Sequence, residues 1–279
     1  MGMSTKNTFS FIGAGNMGGA VAEAVCRSGD PQNVILFDRD TAKAGALAEK
    51  AGCRAASSSA EAIKASHFVF LCVKPNVLAA ALREILPLLS ECEKAGDAKC
   101  IVSIAAGITT QTISAILAEG KLNLPVIRLL PNTPVLVGKG LTLMAPTAGT
   151  SEEDIEALKL ALAPGGMVSQ IEEYMIDCAT PVYSCSPAYV FMFIEALADG
   201  GVMAGVPRDK AQLFAAQAVL GSAAMVLETG KHPGELKDAV CSPGGSTIVG
   251  VEQLEKSGFR AAVASAVYEA YKKTTELGK

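Results

Sequence analysis

One stretch decides the fold of the N-terminal half of the chain: Phe9-Ser10-Phe11-Ile12-Gly13-Ala14-Gly15-Asn16-Met17-Gly18. A short apolar run leads into the pattern G-x-G-x-x-G, and apolar residues then recur at helical spacing. In that setting Gly13 allows a tight turn, Gly15 lets a pyrophosphate approach the backbone, and Gly18 lets a helix pack closely on a strand. The stretch therefore predicts the first strand, turn and helix of a dinucleotide-binding fold. We call residues 13–18 the first glycine loop.

Short apolar runs continue to alternate with helical patterns up to about residue 173. Strands are predicted over 9–13, 34–38, 68–73, 101–104, 126–130, 140–144 and 167–171, with helices over 15–28, 41–51, 59–65, 77–89, 110–117 and 151–163. Nearly continuous apolar strands separated by helices favour a parallel sheet with helices on both faces. The fold class is therefore α/β, with a Rossmann dinucleotide-binding domain over residues 8–173.

From about residue 175 the strand patterns stop, and helices are predicted over 186–204, 208–229, 246–256 and 257–276. The run Ala188-Tyr189-Val190-Phe191-Met192-Phe193-Ile194 has no polar face for nearly two turns. A helix that is apolar all round is normally buried on every side, which a small helical domain does not achieve alone. We expect residues 174–279 to form an all-α dimerisation domain that packs against a symmetry mate. A central core helix within one chain is the alternative.

Several strand ends are predicted to meet at one crevice, because open parallel sheets bind ligands beyond the carboxyl ends of their strands. Small residues after the strand at 101–104 leave space for a nicotinamide ring, and Lys74 is either a ligand contact or a surface lysine. The expected cofactor-binding residues are Ile12, Gly13, Ala14, Gly15, Asn16, Met17, Asp38, Arg39, Val73, Lys74, Pro75, Ala105 and Ala106.

The end of the second predicted strand bears on which dinucleotide binds. Asp38 lies twenty residues after Gly18, where an acidic residue typically binds the ribose diol of NAD. Arg39 follows it, and an arginine there favours the 2′-phosphate of NADP. We predict NADPH as the cofactor with NADH as an alternative donor, and a comparison of kcat/KM for the two separates them.

A second glycine-rich turn precedes a predicted helix near the C-terminus: Ser242-Pro243-Gly244-Gly245-Ser246-Thr247. The first backbone N–H groups of a helix have no intrahelical partner and carry the positive end of its dipole. A carboxylate fits there, and the glycines let it approach the backbone. The alternative is a plain loop in which a Ser or Thr hydroxyl caps the helix. We call residues 242–247 the second glycine loop.

Composition argues against several other kinds of protein. The net charge is −4 and there is no Lys/Arg-rich run, so we expect no nucleic-acid partner. The longest strictly apolar runs, 68–73 and 188–194, are too short to cross a bilayer, and residues 1–7 lack the apolar segment of a signal peptide. We expect a cytoplasmic protein without a membrane partner. Eight cysteines form no C-x-x-C pair and there are two histidines, so no metal site is expected.

Taken together, these motifs resemble the Δ1-pyrroline-5-carboxylate reductase family. Besides the two glycine loops, the resemblance rests on Val73-Lys74-Pro75, Ala105-Ala106-Gly107, Pro131-Asn132-Thr133-Pro134, Ser186-Pro187-Ala188-Tyr189-Val190-Phe191, Glu195-Ala196-Leu197-Ala198-Asp199-Gly200-Gly201-Val202 and His232-Pro233-Gly234-Glu235-Leu236-Lys237-Asp238. It extends over nearly the whole chain.

The resemblance implies an oxidoreductase of proline biosynthesis that acts on a C–N bond. Hydride passes from C4 of NAD(P)H to the imine carbon of Δ1-pyrroline-5-carboxylate and gives L-proline. It also implies that the substrate binds at Ser242, Pro243, Gly244, Gly245, Ser246 and Thr247. Backbone N–H groups hold the carboxylate, and Thr247 is the catalytic residue that orients the imine nitrogen. Family members self-associate as dimers or rings of dimers, so a homo-oligomer built through the C-terminal helices is expected.

Two other functions stay open on the sequence alone. A β-hydroxyacid dehydrogenase shares the N-terminal motif but pairs a lysine with an Asn or Asp four residues later. Here the residue four positions after Lys210 is Phe214 and the residue four positions after Lys237 is Cys241, so that pairing is missing. The other alternative is a protein that senses NAD(P)H without turnover. Oxidation of NADPH that depends on pyrroline-5-carboxylate distinguishes all three.

Overall fold

A computed structural model describes residues 7–277 of the chain, and the sheet supports the predicted strand pattern. Its strands are Phe9–Ile12 (β1), Val34–Phe37 (β2), Arg54–Ala55 (β3), Phe68–Leu71 (β4), Cys100–Ser103 (β5), Val126–Pro131 (β6), Gly140–Pro146 (β7) and Gly166–Gln170 (β8). All seven predicted strands are confirmed to within two residues at either end. The two-residue strand β3 has too little pattern to be predicted.

The helices follow the same chain order. They are Asn16–Cys26 (α1), Thr41–Ala51 (α2), Ser59–Lys64 (α3), Pro75–Lys94 (α4), Thr110–Glu119 (α5), Glu152–Leu162 (α6), Tyr174–Thr180 (α7), Ser186–Met203 (α8), Arg208–Thr229 (α9), Pro233–Val240 (α10), Ser246–Lys256 (α11) and Phe259–Leu277 (α12). The predicted helices 41–51, 208–229 and 246–256 agree residue for residue. Helix α4 begins two residues earlier and runs five residues further than predicted, and Pro87 lies inside it.

The eight strands form one sheet in the order β3-β2-β1-β4-β5-β6-β7-β8. Every described pair is parallel except β6 and β7, which run antiparallel with Leu129 opposite Met144. The expectation of a wholly parallel sheet is therefore wrong at this one step. A parallel connection needs a crossover of a dozen or more residues, whereas a short turn over Thr133–Val137 separates these strands. The chain consequently returns alongside β6 in the opposite direction.

Both faces of the sheet are buried, as its apolar strands predict. On one face Phe11 stacks on Phe70 at a centroid distance of 4.3 Å, and these rings belong to a core that includes residues of α1 and α6. On the other face Val69 and Leu71 pack in a cluster with Leu82 of α4. This arrangement confirms the predicted doubly wound, helix-covered sheet and fixes the strand ends that carry the predicted cofactor site.

The chain divides into two compact units. The first runs to Ser184 and includes the end of α12 from Lys273, and the second is Cys185–Lys272. Within the first unit a connector, which we define as residues 173–184, contains α7 and all but the last residue of a π-helical turn at Pro181–Cys185. The sequence pattern did not predict this turn. Tyr183 in this connector donates its hydroxyl to the Leu130 carbonyl of β6 at 2.7 Å.

The second unit consists of α8 to α11 and most of α12. Helices α8 and α9 pack through small residues, since Ala198, Ala211 and Ala215 are buried against one another. The large apolar side chains of α8 point elsewhere: Met203 is 89% exposed and Met192 is 69% exposed. Helix α8 is therefore not a core helix of a single chain, and the apolar-all-round pattern has another cause. Helix α10 lies between the predicted helices 208–229 and 246–256 and was not predicted, although Pro233 suits the first turn of a helix.

Candidate active site

Four strands end level with one another and bring predicted cofactor residues to one edge. Ile12 of β1 is paired with both Phe37 of β2 and Leu71 of β4, and Leu71 is paired with Ser103 of β5. The residues that follow these four positions are Gly13, Asp38, Cys72 and Ile104. The four strand ends that the sequence predicts to meet therefore lie at one edge of the sheet in the first unit.

Packing requires two of the three glycines in the first glycine loop. Gly13 has φ +110°, and a Cβ built on it would lie 2.7 Å from the Cys72 carbonyl oxygen. A Cβ on Gly18 would lie 2.7 Å from Cβ of Cys72. Gly15 differs, because no atom of the described residues lies within 4 Å of its Cβ position. Its missing side chain leaves open space in front of the loop, where a ligand backbone can approach.

Helix α1 begins directly behind that space. Its N-cap is Gly15 in an extended conformation, and no side chain of the described residues caps it. No acidic residue lies in the first turn, so the unpaired N–H groups and the positive end of the dipole are available to an anion. Desolvation raises the pKa of the nearby Cys72 thiol, so no thiolate opposes an anion there. The loop therefore fits a dinucleotide pyrophosphate.

Asp38 is turned toward the first glycine loop. Its Oδ2 accepts a hydrogen bond from the Ala14 N–H at 2.7 Å, and its Oδ1 accepts one from the Asp40 N–H at 3.0 Å. The carboxylate thus fixes the loop to the end of β2. Arg39, the next residue, is exposed. A phosphate near this strand end would meet an exposed guanidinium and a carboxylate whose two oxygens already accept backbone hydrogen bonds.

The remaining predicted cofactor contacts lie after β4 and β5. Lys74 is exposed and serves as the N-cap of α4, which begins at Pro75. The Lys74 carbonyl accepts the Leu78 N–H at 3.1 Å. Ala106 is exposed, whereas Ala105 is buried and donates its N–H to Ser103 Oγ at 3.3 Å. The two side chains at this edge are small, which agrees with the predicted space for a flat ring.

The second glycine loop lies in the second unit and is a local turn. The Gly245 N–H donates to the Ser242 carbonyl at 3.0 Å, with Pro243 and Gly244 between them. Gly244 has φ +70°, which suits the third position of a type II turn. Gly245 is the N-cap of α11, and the part of the chain that the structure describes supplies no side-chain cap. The alternative of a Ser or Thr cap is wrong, and Thr247 lies exposed in the first helical turn.

Comparisons with known proteins match both units of the chain to oxidoreductases. Residues 173–277 match the family model described as pyrroline-5-carboxylate reductase dimerisation, and residues 8–107 match NADP oxidoreductase coenzyme F420-dependent. Pyrroline-5-carboxylate reductase from Escherichia coli strain K12 is 42% identical over 276 residues, which cover 98% of this chain and 99% of that protein. The Arabidopsis thaliana enzyme is 40% identical over 271 residues, which cover 96% of this chain and 95% of that protein.

Solved structures show the same similarity. The reductase from Coxiella burnetii aligns with a TM-score of 0.88 at 28% identity, over 99% of this chain and 100% of that chain. The Plasmodium falciparum enzyme, solved with NADP bound, aligns with a TM-score of 0.83 at 28% identity, over 98% of each chain.

The chain belongs to the pyrroline-5-carboxylate reductase family. Membership confirms the resemblance drawn from the sequence motifs and favours neither a β-hydroxyacid dehydrogenase nor a cofactor sensor. The family match over 173–277 also identifies the helical part as a dimerisation domain, so self-association is a property of this region. This explains why α8 is apolar all round and yet exposed in one copy.

The two histidines have local structural roles in this reductase family member. His67 Nε2 lies 2.8 Å from Asp154 Oδ1, and His67 Nδ1 lies 3.2 Å from the Ala98 carbonyl oxygen. His232 Nδ1 accepts the Gly234 N–H at the start of α10. Over residues 7–277 the structure contains no group of three His, Cys, Asp or Glu side chains arranged to hold a metal ion.

One charged cluster close to the predicted cofactor edge was not predicted from the sequence. Arg128 lies inside the apolar strand β6 and forms ion pairs with Glu173 and Asp177 of the connector segment and α7. A charge within an apolar strand was the available signal, because a buried charge requires a partner. The identity of that partner, 45 residues away, was not readable from a local pattern.

Proposed function

We propose that this protein reduces Δ1-pyrroline-5-carboxylate to L-proline with NADPH as the hydride donor. The observation that carries the proposal is the 42% identity to the E. coli reductase over 98% of the chain, which includes both glycine loops. NADP in the Plasmodium relative and the NADP oxidoreductase match over residues 8–107 support the choice of cofactor. We assign cofactor binding to residues 8–173 and substrate binding with dimerisation to residues 174–279.

NADPH, when bound, supplies a hydride from C4 of its nicotinamide to the imine carbon of the substrate. The first glycine loop holds the pyrophosphate on the unpaired N–H groups of α1, with Gly15 leaving the approach open. Arg39 binds the 2′-phosphate, while Asp38 keeps the loop in place through the Ala14 N–H. Ala105 and Ala106 border the nicotinamide, and Lys74 contacts the cofactor from the end of β4.

The second glycine loop holds the substrate. Its carboxylate binds the first N–H groups of α11, where a glycine N-cap and the absence of an acidic residue in the first turn favour an anion. Thr247 hydrogen-bonds the imine nitrogen and orients the ring for attack at its carbon. An aliphatic hydroxyl is a poor acid at neutral pH, so Thr247 positions the imine and the proton comes from the protonated substrate or from water.

We also propose that the helical unit buries its apolar surface against a second copy of the chain. Phe191 is 64% exposed and Met203 is 89% exposed, and exposed apolar surface of this kind marks an interface. Among the described helices, α9 is long and apolar enough to cross a membrane by length and composition, with 11% of its most apolar window buried. Packing in a dimer accounts for the same surface, so we infer a cytoplasmic dimer or ring of dimers without membrane or nucleic-acid partners.

The decisive experiment mixes the purified chain with NADPH and pyrroline-5-carboxylate and follows the loss of NADPH absorbance while proline is measured. We expect proline and NADP⁺ to form in equal amounts. Oxidation of a β-hydroxyacid with NADP⁺, without pyrroline-dependent turnover, would favour the dehydrogenase. Tight NADPH binding with no turnover would favour a sensor. Sedimentation at micromolar concentration tests the dimer, and a monomer would contradict that part of the proposal.

A further inference from the structure

Arg128 is a charged side chain that is almost completely buried within the sheet. It lies in the middle of β6, its relative exposure is 2%, and its neighbours along the strand are buried apolar residues. Its Nε has no hydrogen-bond partner within the described part of the chain. A guanidinium buried in this way is costly unless carboxylates compensate its charge. Arg128 therefore determines where nearby carboxylates settle.

Two carboxylates of the connector region meet this guanidinium. Glu173 Oε1 lies 3.3 Å from Nη1, and Asp177 Oδ1 lies 3.1 Å from Nη2. The two pairs use different nitrogens, so loss of one carboxylate leaves the other in place. The cluster therefore tolerates removal of the Glu173 charge without leaving Arg128 unpaired.

Glu173 also reaches the start of α5. Its Oε1 accepts the Thr110 N–H at 2.7 Å, and its Oε2 accepts the Thr110 hydroxyl at 2.5 Å. Thr110 is the first residue of α5. One carboxylate thus links a buried cation in β6 to the first turn of a helix whose preceding loop carries Ala105 and Ala106.

The loop between β5 and α5 is short and held at its two ends. At its start Ala105 is attached to Ser103 Oγ, and Gly107 within it takes φ +76°. At its far end Thr109 caps its own helix by accepting the Thr112 N–H at 3.1 Å, which is a contact inside α5. The Glu173–Thr110 contacts attach that end to a separate part of the unit, the connector. Ala105 and the apolar face of α5 are also buried in the core, so the Glu173–Thr110 contacts add a polar link to a loop that packing already holds.

We propose that Glu173 is a positioning residue for hydride transfer. Arg128 holds Glu173, Glu173 holds Thr110, and these contacts help to set the position of the Ala105–Ala106 loop relative to the nicotinamide. The inference rests on the proposed function, in which that loop borders the nicotinamide. In this proposal Glu173 acts through its contacts with Thr110 and Arg128 rather than on the reacting groups. Cofactor affinity comes chiefly from the pyrophosphate at the first glycine loop, so a displaced loop changes reaction geometry more than binding. A small misplacement of reacting groups costs up to about 100-fold in rate.

The test compares Glu173→Gln with Glu172→Gln, its exposed neighbour, in the full-length protein. Glutamine keeps the size of the side chain, but a single carbonyl oxygen replaces the two oxygens that accept from Thr110. We expect Glu173→Gln to lower kcat about 10- to 100-fold and to leave KM for NADPH within about threefold. Glu172→Gln should match the wild type in both constants.

A second variant, Thr110→Val, removes the hydroxyl contact and keeps the backbone N–H. We expect it to lower kcat less than Glu173→Gln does. The double variant should be no slower than Glu173→Gln alone, because both changes act through one link. If the two effects on kcat multiply instead, the coupling is absent and the inference is wrong. Thr110→Val also keeps the inference testable should Glu173→Gln fail to fold.

The proposed function fails separately if the wild type shows no pyrroline-dependent oxidation of NADPH. In that case the fluorescence of the nicotinamide in bound NADPH still reports on the loop. We expect Glu173→Gln to change that emission while the Kd for NADPH stays within about threefold. Unchanged emission would then overturn the inference, as an unchanged kcat would if the wild type is active. So would a parallel loss of Tm, NADPH affinity and kcat, since that pattern indicates a purely structural role.

Discussion

Two helices in this protein begin in the same way but are supported differently. Both α1 and α11 follow a glycine-rich loop, and each has a glycine N-cap in extended conformation, at φ −68° for Gly15 and −77° for Gly245. In the first glycine loop, Gly13 and Gly18 are fitted against Cys72 of the sheet. In the second, the glycine with positive φ serves a turn closed by its own Ser242, and most of the loop is exposed.

The comparison separates the requirements of anion binding from those of folding. Unpaired N–H groups at a helix start suffice to bind an anion, and both loops offer them. Only the first loop is also part of a core, so Gly13 and Gly18 serve packing while Gly15 leaves the approach to the helix start open. The second loop needs Gly244 for its turn, so replacement should distort the turn while the rest of the fold survives. Substitutions in the two loops should therefore differ in which property they change.

The largest effect is expected for Gly13→Ala. The new methyl group would lie 2.7 Å from the Cys72 carbonyl oxygen, and alanine would have to adopt φ +110°. Overpacking and strain together should lower stability by about 3 kcal/mol or more and abolish NADPH binding. Thermal unfolding and a fluorescence titration with NADPH measure the two effects. A wild-type Tm would contradict the packing role of this glycine.

Gly15→Ala is the matched control in the same loop. Its backbone is in an ordinary region, and its methyl group would meet no atom of the described residues within 4 Å. We expect an unchanged Tm and a Kd for NADPH raised about 100-fold, because the methyl occupies the approach of the pyrophosphate. Normal NADPH affinity in this variant would remove the first glycine loop from the cofactor site.

In the second loop, Thr247→Ala should lower kcat/KM for pyrroline-5-carboxylate about ten- to thousand-fold, the range for one or two lost transition-state hydrogen bonds. The Kd for NADPH and the Tm should not change, because the side chain is exposed. Thr247→Ser retains the hydroxyl and should keep most of the activity. Equal kinetics for the alanine and wild-type proteins would exclude a role for Thr247.

Gly244→Ala tests whether the second loop is as independent as its contacts suggest. Alanine at φ +70° costs about 1–2 kcal/mol, which should distort the turn and raise KM for pyrroline-5-carboxylate about tenfold. Gly250→Ala, in the exposed middle of α11, is the control and should leave KM unchanged. A raised KM for NADPH in Gly244→Ala would contradict the separation of the two loops.

The smallest effect is expected for Arg39→Ala, which should raise KM for NADPH about three- to tenfold while leaving KM for NADH unchanged. The difference should shrink at high salt, because an exposed charge is screened. Lys94→Ala removes the same charge from the exposed C-terminal end of α4 and serves as control. Equal effects on KM for both cofactors would show that Arg39 does not bind the 2′-phosphate.

Much of this fold was predictable because its signals are local. The apolar run 68–73 and the pattern over 41–51 are periodic over adjacent residues, and both gave the observed elements. The strand direction at β6 and β7 was not predicted, although the short turn at Thr133–Val137 contained the necessary information. Helix α10 was missed because its proline and glycine resemble a break, while proline in a first turn favours a helix.

The candidate site was likewise predicted in part. The sequence placed Gly13, Asp38, Lys74 and Ala105 at one edge because parallel strands of a doubly wound sheet end on the same side, and the register of β1, β2, β4 and β5 agrees. The sequence did not indicate that the Asp38 carboxylate accepts the Ala14 N–H. Side-chain direction depends on the packed loop, which no local period encodes.

By itself, the sequence determined the order of most strands and helices along the chain, the two glycine loops and the apolar surface of the helical region. Each of these follows from patterns in neighbouring residues. Only the tertiary structure decided which glycines are held by packing and which by a turn. It also decided that Glu173 joins Arg128, 45 residues away, to Thr110, 63 residues away. These contacts form between side chains that approach only after the sheet has assembled, so their physical cause is the packing of distant segments.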